Sequence, residues 1–85
     1  MSAAPRERVD EMRSIIHDIL GGAASKIFLG RVDGVLSEWA EERMTAAKAC
    51  EKVQKMVGLF IGEDLARQIG ERCAVIVMRE TASQK

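Results

Sequence analysis

Ile16-His17-Asp18-Ile19-Leu20-Gly21-Gly22-Ala23-Ala24-Ser25-Lys26-Ile27-Phe28 is the stretch that separates one long helix from several short ones. Upstream, apolar residues fall at Val9, Met12, Ile16, Ile19 and Leu20, and the same steps of three and four run on to Ala23 and Ile27. At about 100° per residue these positions share one helical face. Downstream, Ala24, Phe28, Val32, Val35 and Trp39 form a second stripe. Continued in the frame of the first helix, Val32, Leu36 and Trp39 point to nearly the opposite side. A single straight helix would expose one stripe to water. A turn or sharp kink at Gly21-Gly22, or at Gly30, removes the conflict, because glycine weakens a helix interior by about 1 kcal/mol.

Towards the N-terminus, Pro5 suits a first helical turn, and Glu7, Asp10 and Glu11 complement the positive end of the helix dipole. Towards the C-terminus, Thr45 is a good N-cap for a third helix. Its apolar face is Ala46, Ala49/Cys50, Val53, Met56/Val57 and Phe60, with Glu51 and Lys55 paired on the other side. Gly62 supplies a stop. Glu63-Asp64 then open a fourth helix with Leu65, Ala66, Ile69, Cys73 and Ile76 inward. The β-branched run Cys73–Met78 would also suit a strand, but the chain offers no strand to pair with it, so helix is preferred. Residues 81–85 read as a polar, frayed tail. The expected architecture is all-α: one domain over residues 1–85, a small four-helix bundle open to completion by dimerisation.

Thirteen Lys and Arg balance thirteen Asp and Glu, so no net field draws the chain to nucleic acid or an acidic membrane surface. Apolar residues make up 47%, enough for a core, which with no Tyr and one Trp is mainly aliphatic. The opening Met1-Ser-Ala-Ala-Pro5 lacks the basic and apolar regions of a secretory signal, and no apolar run approaches the roughly 20 residues of a membrane span. The expectation is a soluble, cytoplasmic protein with no membrane partner. Cys50 and Cys73 are too few and too far apart in sequence for a disulfide framework or a zinc site, and read as small buried hydrophobes. No metal or cofactor is expected.

Two local patterns carry functional expectations. Met12 to Ile27 resembles the phosphoacceptor (dimerisation) helix of sensor histidine kinases: Ile16, His17, Asp18, Leu20 and Gly21 match in place, and Ile27 fits a later apolar position. The resemblance implies His17 as the nucleophile for a phosphoryl group and Asp18 as the base that orients the ring and takes its proton. The chain has no room for an ATP-binding domain, so the implied role is phosphotransfer or dimerisation alongside a separate kinase. Gly62 to Gly70 looks like the first helix and turn of a bacterial helix-turn-helix, with Leu65, Ala66, Ile69 and Gly70 in place. Its second helix offers only Arg72 and Arg79 to phosphates, which argues against DNA.

Leu29, Leu59, Val75, Val77 and Met78 lie off the inward stripes and suggest an exposed apolar surface that self-association would bury. No Ser-His-Asp set or phosphate loop is present. The reading that follows is a helical protein–protein interaction module, self-associating as a homodimer and without catalysis of its own. Phosphotransfer at His17 and DNA binding by the last helix are the alternatives.

Overall fold

The N-terminal stripe ends at Leu20 because the next residue leaves the helical region. In the computed structural model, which describes residues 6–83, Gly21 has φ +51°, a left-handed conformation that glycine adopts without steric cost. Helix α1 spans Arg6–Leu20, and Gly21–Ala23 make one 3-10 turn. Ser25 then caps α2 (Lys26–Ala40), its hydroxyl accepting the Phe28 N–H at 3.1 Å. The break is therefore a turn at Gly21, and Gly30 lies inside α2. The expected role of Pro5 falls outside the described residues.

The turn from α2 to α3 (Ala46–Phe60) is also closed by backbone bonds. The Arg43 N–H donates to the Glu38 carbonyl at 2.8 Å and the Glu42 N–H to the Trp39 carbonyl at 2.8 Å. That pairing needs a left-handed residue, and Glu42 supplies it with φ 64°. Thr45 caps α3 as its sequence indicated, accepting the Lys48 N–H at 3.1 Å. After Ile61 and Gly62 the chain enters α4, a single helix over Glu63–Ser83. It includes the Cys73–Met78 run and enters the segment expected as a tail. Residues 84 and 85 lie outside the described part.

The four helices form an all-α bundle in which α1, α2, α3 and α4 follow one another around a ring and α4 closes on α1. Val9, Met12, Ile16 and Leu20 come inward from α1, and Val32, Leu36 and Trp39 from α2. They meet Ala46, Ala49, Cys50, Val53 and Val57 of α3 and Ala66, Ile69, Cys73 and Ile76 of α4. No polar or charged residue is buried with them among the described residues. Each large aliphatic side chain fully removed from water contributes about 1.5–3 kcal/mol, so the core and not the surface ion pairs carries stability.

Two positions depart from their sequence assignments for different reasons. Ala23 and Ile27 were the continuation of the first stripe, yet both are exposed, Ile27 to 77%. The turn resets the helical frame, and in α2 Ile27 falls roughly 150° from the Val32–Leu36–Trp39 stripe. Phe60 has the correct angle on α3 but is 68% exposed. It stands in the last turn, beyond the end of the core.

Gly30 and Gly34 have open space where a side chain would go. Gly30→Ala and Gly34→Ala are each expected to raise stability by roughly 0.5–1 kcal/mol, a few degrees in Tm. Glu42→Gly is expected to stabilise by a similar amount, roughly 0.5–1 kcal/mol, through relief of its left-handed backbone. Gly21→Ala is expected to destabilise by about 1 kcal/mol. Thermal unfolding followed by the fluorescence of buried Trp39 checks all four, and a stabilising Gly21→Ala would contradict the turn.

Candidate functional site

Two surfaces carry more than the packing of the bundle requires: a polar cluster between α1 and α2, and an apolar cluster at one end. The polar cluster begins with His17. Its position on α1 is about 95° from the buried stripe, which leaves the side chain half-buried on the flank facing α2. Asp33 takes the equivalent flank of α2. Its Oδ1 accepts a hydrogen bond from Arg13 Nε at 3.2 Å and lies 3.5 Å from His17 Nε2. Arg13 also donates to Asp10 at 2.8 Å. Nε2 of His17 is covered and has no hydrogen-bond partner.

The two residues of the kinase-like reading have charged neighbours on different helices. Asp18, the expected base, is exposed and lies 3.8 Å from Arg72 of α4. The carboxylate next to the imidazole is Asp33, on a different helix, and no spacing in the sequence signals it. A phosphoryl acceptor must offer a nitrogen lone pair in line with the donor. His17 Nε2 is covered, with the Asp33 carboxylate 3.5 Å away across the α1–α2 contact.

The basic residues of the DNA reading are also dispersed. Arg72 pairs with Asp18, Arg79 with Glu11 at 3.6 Å, and Arg67 with Asp64 at 3.5 Å. Arg67 lies roughly 130° around α4 from the other two. Moreover, α4 runs unbroken through Gly70, so the turn that a helix-turn-helix needs there is not formed. Together with Arg8–Glu80 at 3.3 Å, the Arg72 and Arg79 pairs align α1 antiparallel to α4.

The apolar cluster is built where the α1–α2 turn meets the end of α3. Phe28, in the first turn of α2, packs its ring against Phe60 with centroids 6.1 Å apart and planes at 64°, an edge-to-face contact. Ile27, Phe28, Phe60 and Ile61 line an open cleft of about 430 Å³ together with Ala24 and the stem of Arg31. Leu59, beside Phe60 on the outer face of α3, is 80% exposed. Of the other residues expected at an apolar surface, Val75 and Met78 are exposed on the outer face of α4. Leu29 and Val77 are not free surface: both are half-buried and pack on the core. Leu29 lies one turn before Val32, and Val77 one turn after Cys73, so each flanks a buried stripe.

Among the described residues no group of three or more His, Cys, Asp or Glu side chains is placed to hold a metal ion, and no helix is long and apolar enough to cross a membrane. No protein-family model matches the chain, and no curated protein and no solved structure matches it either.

Asp33→Asn removes the acceptor shared by Arg13 and His17. The group is only half-buried, so the expected loss is about 0.5–1 kcal/mol at low salt, and most of it disappears in high salt. Urea unfolding at two ionic strengths measures this. A loss above about 2 kcal/mol that ignores salt would mean that Asp33 supports packing instead.

Proposed function

We propose that this chain is a protein–protein interaction module that associates with itself and has no catalytic activity of its own. The observation that carries the reading is the apolar end of the bundle. Ile27, Leu59 and Phe60 are each more than two-thirds exposed, and Ile27 and Phe60 line a cleft together with Phe28 and Ile61. Small domains ordinarily keep such side chains in the core, and a contiguous apolar patch beside a depression is the common signature of a contact surface.

A two-fold arrangement suits this surface. Leu59 is 80% exposed beside the concave, largely apolar cleft that Phe60 lines, so the Leu59 edge of one copy can fill the depression of the other in both directions at once. That self-complementarity is what an isologous interface requires. Aromatic anchors seated in a pocket are the type of contact that dominates binding energy. Phosphotransfer and DNA binding would instead draw on His17 and on α4, where the reacting groups are engaged in contacts within the chain.

Sedimentation equilibrium at micromolar concentration is expected to give a dimer for the native chain. The double substitution Leu59→Glu and Phe60→Glu is expected to yield a monomer with a far-ultraviolet helical signal unchanged, since neither residue is in the core. A native chain that sediments as a monomer throughout overturns the proposal.

A further inference from the structure

The seam between α3 and α4 includes Gly58, Ala66 and Gly70, and it brings together two cysteines that stand 23 positions apart. A Cβ placed on Gly58 would lie 3.8 Å from the Cβ of Ala66, and one placed on Gly70 would collide with the amide of Gln54. At Gly70 the space next to the backbone is filled by the Gln54 side chain of the neighbouring helix. The same two contacts set the register. Gly58 faces Ala66 and Gln54 faces Gly70, so each step of four back along α3 matches a step of four forward along α4. One step further sets Cys50 opposite Ala74, with Cys73 adjacent. Cys73 is fully buried and Cys50 is 7% exposed.

Polar contacts along this seam agree with the register. Gln54 donates through Nε2 to the Ala66 carbonyl at 3.4 Å, and its Oε1 accepts from Cys50 Sγ at 3.7 Å. The Cys73 thiol lies near enough to Cys50 for each to act on the other's ionisation. The neighbouring Cys73 side chain holds the Cys50 thiol below its usual range despite burial. The Cys50 side chain pushes Cys73 far up, with burial and the Cys50 charge acting in the same direction. The two thiols are therefore unequal. Cys50, 7% exposed, is the more acidic of the two, and Cys73 is fully enclosed and stays protonated.

We propose that Cys50 and Cys73 are an oxidative modification site, closing an intramolecular disulfide across the α3–α4 seam when the chain meets a peroxide. A disulfide demands Cα atoms about 4.4–6.8 Å apart, a separation that only closely packed helices provide. In the first step the Cys50 thiolate attacks one peroxide oxygen and the O–O bond breaks. Cys50 becomes a sulfenic acid, and the departing oxygen takes up the proton that Cys50 released and leaves as water or an alcohol. The neutral sulfenic acid no longer repels a charge on Cys73. The Cys73 sulfur then attacks Cys50 sulfur, the S–O bond breaks, and the hydroxyl leaves as water with the Cys73 proton. Two thiols are oxidised and one peroxide is reduced.

The test uses the reduced full-length chain and hydrogen peroxide at equimolar amounts, followed by alkylation under denaturing conditions and non-reducing digestion with trypsin. Expected is a monomeric product lacking two hydrogens, with no alkylatable thiol and with peptide 49–52 joined to peptide 73–79. Dithiothreitol restores the starting mass. The oxidised chain is expected to melt about 10 °C higher, because the link constrains the unfolded chain. With Cys73→Ser, Cys50 is expected to accumulate sulfenic acid trapped by dimedone, whereas with Cys50→Ser the remaining thiol stays unmodified on the same timescale. Three results overturn the proposal: thiols that remain alkylatable, disulfides between copies in place of the internal link, or equally fast linkage in the urea-unfolded chain.

Discussion

Two apolar stripes on opposite sides of one continuous helix can share a core only when the chain reverses between them. The left-handed backbone of Gly21 performs that reversal. It ends α1 at Leu20, lets Ser25 start a new helix, and turns Val32, Leu36 and Trp39 towards Met12 and Ile16. Without it, either stripe would lie in water at a loss of several buried side chains of about 1.5–3 kcal/mol each. Every later contact inherits this choice. The flank of α2 that carries Asp33 comes to face His17, and the first turn of α2 comes to lie beside the last turn of α3.

The bundle's second determinant is the difference in side-chain size around the ring. α1 and α2 contribute Met, Ile, Leu, Val and Trp, while the buried side chains of α3 are no larger than valine and α4 adds Ala66 and Cys73 to two isoleucines, with Gly58 and Gly70 along their seam. Close packing at that seam draws α3 and α4 together and places Gln54 in the groove opposite Gly70. Three large residues left out of the core, Ile27, Leu59 and Phe60, collect at its end. Phe60 follows the inward stripe of α3 in angle, but its level along the axis holds only Phe28 as an aromatic neighbour. The apolar end is thus a direct product of helix lengths, and it is the feature on which the interaction proposal rests.

Much of this was legible in the order of residues. The four amphipathic stripes, the Gly21-Gly22 break, the Thr45 cap, the stop at Gly62 and the preference for helix over strand at Cys73–Met78 follow from local periodicity and capping chemistry, which act within one or two turns of chain. The exposure of Leu59, Val75 and Met78 followed from the same angles. The exposed positions of Ile27 and Phe60 did not, since one depends on where the helical frame restarts and the other on where the core ends. Glu42 gave no sign of a left-handed turn, because its carboxylate side chain resembles any other on a polar surface.

What residue order determined alone was the number of helices, the caps and stops of most of them and the greater part of their inward faces, because backbone hydrogen bonding and periodic burial are local. What only the tertiary structure decided was which side chains became neighbours across helices. His17 faces Asp33 and not its sequence neighbour Asp18, Asp18 and Glu11 engage Arg72 and Arg79, and Cys50 meets Cys73. Such pairs depend on the register and spacing between helices. These are set by packing volume at contacts such as Gly58 with Ala66 and Gly70 with Gln54, and no helical period along a single segment encodes them.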